Sequence, residues 1–236
     1  DIYSNTIIAA EALVRWKQKD GSYIMPSQFI PIAEASGLIL PMSAWIIETA
    51  IKQMIAWKEQ ESPLNINRIA INISAIHFAQ ADFVDQIKSI LHKYPVDPKH
   101  IEFELTESIA LVNIEETIQK IEELKKIGIT FALDDFGTGY SSLAYLKRLP
   151  IDYLKIDQSF IKNMMADSED KLITETIVSV AQAFKLKVIA EGVEEIEQLE
   201  HLRSIACDIY QGYLQNRPLP AEEFVLMVRE LEQQLN

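Results

Sequence analysis

Short, continuous apolar runs alternate along this chain with longer stretches in which apolar residues recur every three or four positions. The runs are IIAAEALV (7–14), IAINIS (69–74), IEFEL (101–105), ITFAL (129–133), DYLKI (152–156), KVIAE (187–191) and CDIYQ (207–211). Runs that are continuous rather than alternating in polarity are how strands buried on both faces read. Between them lie amphipathic segments marked by Trp45, Ile46, Thr49, Ala50 and Met54; by Phe83, Val84, Ile87, Ile90 and Leu91; by Ile114, Ile118, Ile121, Leu124 and Ile127; and by Ile173, Ile177, Val180, Ala181 and Phe184. Strand–helix alternation of this kind predicts βαβ units and a parallel sheet. With no Gly-rich nucleotide fingerprint after an early strand, a closed (β/α) barrel is preferred to an open sheet. Seven strands are visible, so an eighth is expected to be missing from the N-terminus or hidden in another segment.

The length of 236 residues fits the ~250 residues of one (β/α) barrel. No Ser/Gly/Pro-rich linker or block of like charge divides the chain, so residues 1–236 read as one domain. Twenty-two basic against 35 acidic residues leave a net charge of −13. That counts against DNA as a partner and against direct contact with an anionic membrane, both of which favour a basic face. Cys207 is the only cysteine, which excludes an intramolecular disulfide and zinc–thiolate sites and points to a reducing, cytoplasmic setting. No apolar run approaches the ~18–20 residues of a membrane span, and Asp1 opens no signal segment, although a membrane anchor elsewhere in a parent protein is compatible with this. The start at Asp1, without Met, reads as a piece of a longer multidomain polypeptide.

Polar residues gather at the ends of the runs. Glu11 lies in or near the end of the first, Asn72 and Glu104 near the ends of the next two, and Asp134 and Asp135 follow the fourth. Lys155 and Asp157 close the fifth, Glu191 the sixth and Gln211 the seventh. In a (β/α) barrel the carboxyl ends of all strands converge on one face, so these side chains can meet in one pocket. Taken singly, a strand Glu is more often a paired structural residue, and two aspartates before FGTG suit a turn. Together, four or five carboxylates in one barrel mouth would repel each other and lose hydration unless cations neutralise them. Oxygen ligands without Cys or His at the strand ends suit a hard cation, Mg²⁺ or Mn²⁺. The adjacent acids Asp134 and Asp135 suit two ions about 3.5–4 Å apart, one carboxylate bridging them. Two hard cations beside a lysine match phosphoester hydrolysis by in-line displacement.

The motifs EALVRW (11–16), NIS (72–74), ELTES (104–108), ALDDFGTGYSSLAYLKRLPIDYLKID (132–157), AEGVE (190–194) and QGYLQNRPLP (211–220), with FIPIAEASGLI (29–39) between the first two, resemble the EAL domain family in order and spacing over essentially the whole chain. The resemblance implies a modified TIM barrel with one antiparallel strand, and a phosphodiesterase that opens cyclic di-GMP to linear pGpG with Mg²⁺ or Mn²⁺. By motif position, Glu11, Asn72, Glu104 and Asp134 would hold one ion, with Asp134 bridging, and Asp135 and Glu191 would help hold a second. Lys155 would orient or activate the attacking water, supported by Asp157 and Gln211. Arg15 would contact a substrate phosphate, with Leu13 of the same motif and Glu194 near the substrate, while Glu107 would fix the loop after Asp135. Family members usually open with a strand resembling YQPIV, which is absent here and corresponds to the eighth strand. Degenerate members bind without cleaving, so a non-catalytic cyclic di-GMP receptor is the alternative; the retained acids and Lys155 argue against it. The family also implies a homodimer through helices near the loop after Asp135, and sensory or diguanylate cyclase domains fused elsewhere.

Other features have bland readings. His77, His92, His100 and His201 form no close pair and are assigned to surface or packing roles. Ser141 and Ser142 lack a G-x-S-x-G elbow. Trp45 and Trp57 are expected to pack, Cys207 to be a small core residue, and DSED (167–170) to start a helix.

Overall fold

The computed structural model describes residues 1–60, 64–107, 109, 113–139 and 143–235; Ser141 and Ser142 lie outside them. The chain runs through β1 (Ala9–Ala12), a small hairpin of β2 (Trp16–Lys17) and β3 (Tyr23–Ile24), and helices α1 (Pro26–Ser36) and α2 (Ile39–Lys58). Next come β4 (Arg68–Asn72), α3 (Ala75–Phe78), α4 (Phe83–Lys93), β5 (Ile101–Thr106), α5 (Ile114–Ile127), β6 (Thr130–Phe136), α6 (Leu143–Leu146) and β7 (Tyr153–Ile156). The last elements are α7 (Gln158–Asn163), α8 (Ser168–Ala183), β8 (Lys187–Glu191), α9 (Ile196–Ser204), β9 (Ile209–Gln211) and α10 (Ala221–Leu235).

All seven apolar runs become strands of one sheet in the order β1-β4-β5-β6-β7-β8-β9, and every neighbouring pair is parallel. Flat, six steps of ~4.8 Å would hold the outer strands about 29 Å apart. Instead Gln211 at the end of β9 donates from Nε2 to Glu11 Oε2 of β1 at 2.7 Å, so the sheet curls into most of a barrel. Among the described residues no eighth strand joins this sheet, and the antiparallel pair is the separate β2–β3 hairpin. The segment before β1 crosses the gap: Ile2, 1% exposed, donates its N–H to Asp208 O, and Arg203 donates to Ile2 O.

The inner strands β4 to β8 are mostly buried because helices cover the outside and side chains fill the inside, while β1 at the sheet edge is half-buried. Phe83, Phe103 and Phe131 form a chain of ring contacts from α4 through β5 to β6, and Cys207 is fully buried. Asp167 caps α8 by accepting from Glu169 N, in line with the charge pattern of DSED. His77 packs edge-on against Phe83 and bonds Ser43 and Gln86, a packing role.

Two helix faces differ from the sequence expectation. The buried stripe of α2 is Ile39, Ser43, Ile47, Ala50, Ile51, Met54 and Trp57. Trp45 lies two positions before Ile47, about 200° around the helix, and is 58% exposed, so it does not pack as expected whereas Trp57 does. On α8 the buried stripe is Thr174, Ile177, Val178 and Ala181, which leaves Ile173 outside.

Candidate active site

Strand register sets the level of the site. Asn72 of β4 pairs with Glu104 of β5, and Glu191 of β8 with Gln211 of β9; because the sheet is parallel, these positions share one rim. At its centre stands Lys155 of β7, 1% exposed. Its Nζ lies 2.8 Å from Glu104 Oε1, 3.1 Å from Asp134 Oδ1 and 2.8 Å from Glu191 Oε1. Burial alone would lower its pKa, but the carboxylates of Glu104, Glu11, Glu191 and Asp134 outweigh that and hold it well above the usual lysine value. The acids respond in the opposite sense to their burial. Desolvation raises Glu104 well above an ordinary carboxylate, with Lys155 opposing and Glu11 and Asp134 reinforcing. Desolvation likewise raises Glu191 to about 7. Glu104 Oε2 is buried with no hydrogen-bond partner, a costly arrangement unless something else neutralises it.

A β-bulge explains how two consecutive aspartates reach the same place. Leu133 pairs with Leu154 and Phe136 with Ile156, so Asp134 and Asp135 together lie opposite Lys155. In a regular strand neighbours point to opposite faces; the extra residue re-aims one of them. Asp135 takes the left-handed conformation at φ 55, which Asp tolerates better than most residues. Carboxylate oxygens of Asp134, Asp135 and Glu191 consequently all lie within 4.8 Å of one another. Desolvation, then Asp134 and Asp157, push the Asp135 pKa up.

Glu11 is held from both sides, by Asn72 Nδ2 at 2.6 Å on Oε1 and by Gln211 Nε2 at 2.7 Å on Oε2. Asp157 follows β7 and caps α7, accepting from Ser159 N and Ser159 Oγ. Glu107, beyond β5, is buried with neither carboxylate oxygen hydrogen-bonded, and a Cβ at Gly139 would sit 2.6 Å from its Oε1. Gly139, on the segment after Asp135, thus passes directly against the Glu107 carboxyl. Leu13 and Arg15 run on from the end of β1, both exposed, with Arg15 donating to Val14 O. Glu194 is exposed on the loop after β8. Every candidate site residue named from the sequence therefore lies near or just beyond a strand's carboxyl end.

Gly212 and Gln198 escaped the sequence reading. A Cβ on Gly212 would lie 2.1 Å from Val193 O and 2.3 Å from Val193 N, backbone atoms that are themselves bonded to Leu214 N and Gln211 O. Gly212→Ala is expected to force the β8 and β9 loops apart, moving Gln211 off Glu11. The expected cost is roughly 2–4 kcal/mol of stability with most activity lost; a melt and a rate measurement check it, and a parent-like variant would contradict the close approach.

A family model described as EAL domain matches residues 1–218. MucR of Pseudomonas aeruginosa, a bifunctional diguanylate cyclase/cyclic di-GMP phosphodiesterase, is 41% identical over 223 residues, covering 94% of this chain and 32% of MucR. NbdA of the same organism, a cyclic di-GMP phosphodiesterase, is 40% identical over 226 residues, 93% of this chain and 28% of NbdA. The chain spans about a third or less of the length of these relatives. Among solved structures, the PaMucR phosphodiesterase in complex with c-di-GMP matches with a TM-score of 0.84 at 41% identity, over 91% of this chain and 86% of that one. The EAL enzyme Bd1971, with cAMP and cyclic di-GMP bound, matches with a TM-score of 0.90 at 31% identity, over 97% of this chain and 62% of that one. With the family match running from the first residue past the last strand of the sheet, through every rim position described above, the chain belongs to the EAL domain family.

Proposed function

We propose that this chain hydrolyses cyclic di-GMP to linear 5′-pGpG with divalent metal ions held among its rim carboxylates. The observation that carries the reading is the gathering of Glu11, Glu104, Asp134, Asp135 and Glu191 around Lys155. One ammonium leaves this group with surplus negative charge, and the unbonded Glu104 Oε2 gives an oxygen ligand without a partner. The donor set is all oxygen, which fits Mg²⁺ or Mn²⁺. Glu11, Asn72, Glu104 and Asp134 would hold one ion, and Asp135 and Glu191 would help hold a second; Asn72 spends its Nδ2 on Glu11, leaving Oδ1 as its ligand atom. Bound there, such ions make a water nucleophilic near neutral pH and stabilise charge on the phosphoryl oxygens.

The chain's own groups then divide the work. Lys155 stays protonated because its carboxylate neighbours hold it so, which suits orienting a water or a phosphoryl oxygen by donation rather than taking a proton. Gln211 and Asn72 fix Glu11 in one rotamer. Asp157, facing Asp135, supports the attacking water. Arg15 offers a fork to the substrate phosphate, Leu13 an apolar contact, and Glu194 an acceptor for a base or ribose. Glu107 keeps the loop after Asp135 in place through Gly139. Exposed Leu143, Tyr145 and Leu172, on the helices that follow β6 and β7, support pairing of two copies through that side.

The test is incubation with cyclic di-GMP and Mg²⁺ or Mn²⁺, beside a chelator arm and Glu11→Ala. Linear product is expected in the first arm, none with chelator, and a fall of roughly a hundredfold or more in the variant. Tight binding without turnover at any metal concentration would leave a non-catalytic receptor instead.

A further inference from the structure

We propose that Gln198 is a positioning residue for substrate binding: its buried side-chain amide fixes the backbone of Glu194 and ties the loop after β8 to the helix after β7. The inference rests on the reading above and names a residue that reading does not use. Gln198 sits in the first turn of α9 and is 3% exposed. Its Oε1 accepts from Glu194 N at 2.8 Å and from Glu195 N at 3.0 Å, and its Nε2 donates to Ile161 O of α7 at 3.1 Å. One side chain thus satisfies three main-chain groups on two rim segments.

The surrounding contacts give these bonds their consequence. Gly192, at φ 69, lies so close to Gln158 that a Cβ would come within 2.6 Å of that side chain, and Gln158 directly follows Asp157. Val193 is bonded at both ends to the β9 side, its N to Gln211 O and its O to Leu214 N. From Gly192 to Glu195 the loop is therefore clamped residue by residue, towards β9 by Val193 and towards α7 by Gln198. Among the described residues the exposed Glu194 carboxyl makes no hydrogen bond or ion pair, so its place at the rim comes from the backbone, and the backbone N–H of Glu194 is held by Gln198. Without the amide, Glu194 N and Glu195 N lose their partner together while Ile161 O keeps only Met164 N, and the segment carrying Glu194 is free to drift while the ion-binding acids on the strands stay put.

The test uses the whole chain, with kcat and KM for cyclic di-GMP measured alongside thermal melts. Gln198→Leu keeps bulk and helix propensity but makes none of the three bonds; KM is expected to rise about tenfold with kcat within about twofold of the parent. Gln198→Asn, which cannot span all three partners, is expected to give a smaller rise of the same kind and decides the matter if the leucine variant does not fold. Gln198→Glu can still accept from both N–H groups and is expected to restore KM close to the parent value while melting lower, because it cannot donate to Ile161 O. Combining Gln198→Leu with Glu194→Ala is expected to raise KM no further than Glu194→Ala alone. A folded leucine or asparagine variant with parent KM, a loss confined to kcat, or a fully additive double variant would overturn the proposal. If the parent binds the nucleotide without turnover, the functional reading fails first, and the same comparisons made on Kd still decide the role of Gln198.

Discussion

Replacing Lys155 with alanine is expected to cut turnover of cyclic di-GMP by about a thousandfold, at the upper end of the loss found when one preorganised hydrogen-bond donor is removed. Lys155 is the ammonium at the centre of the site, within 3.1 Å of oxygens from Glu104, Asp134 and Glu191, and it is nearly without solvent contact. Deleting one member of such a group strands the others, so the ion-free variant is also expected to lose about 3–5 kcal/mol of stability. Part of that returns when the acids take up protons or when Mg²⁺ is added, so the melting temperature of the variant should respond to Mg²⁺ more steeply than that of the parent. Lys155→Arg is not expected to rescue turnover, since the planar fork needs more room and different angles than a compact ammonium. Initial rates and melts with and without Mg²⁺ check all three statements; parent-like turnover in the alanine variant would remove Lys155 from the reaction.

The seven strands were legible because each is a short, mostly apolar run set among longer segments of helical period, and parallel strands covered on both faces leave that mark. The rim acids were legible as polar residues that recur at the carboxyl ends of one run after another. Less could be read where geometry departs from period. The β2–β3 hairpin has two residues per strand, too few to show alternation. Trp45 falls among apolar neighbours in sequence yet faces water, because α2 already has a complete stripe without it. The aspartates carry the sharpest lesson. Sequence places Asp134 and Asp135 side by side, and strand alternation would send them to opposite faces; only the bulge opposite Lys155 brings both to the rim. Gln198 was hidden in the Glu-rich start of a helix whose composition reads as solvated, although Glu195 followed three positions later by Gln fits the pattern in which the later side chain reaches back to the helix start.

The same crowded carboxylates make stability depend on pH in a direction that divalent ions should reverse. Burial first, then Asp134 and Glu11, raise Glu191 from the usual 4.5 to about 7, against the pull of Lys155; Glu104 and Asp135 move the same way. A carboxyl whose pKa is raised in the folded chain keeps its proton where the unfolded chain has lost it. Its contribution is fully present below pH 4.5 and disappears as pH rises through about 7. Lys155 adds no slope in this window, because it is protonated in both states. At about 1.4 kcal/mol per pH unit, Glu191 alone should cost the chelated protein about 3 kcal/mol between pH 4.5 and 7. Divalent ions need the ionised acids, so their binding releases protons and tightens over this interval. Saturating Mg²⁺ at a hundred times its Kd would add about 2.7 kcal/mol, and more of that gain should appear at pH 8 than at pH 5. Melting temperatures measured across this range with chelator and with Mg²⁺ are therefore expected to diverge as pH rises, the chelated curve falling relative to the other. Two parallel curves would mean that protons and divalent ions do not compete for Glu191 and its neighbours, and the rim acids would then need another explanation.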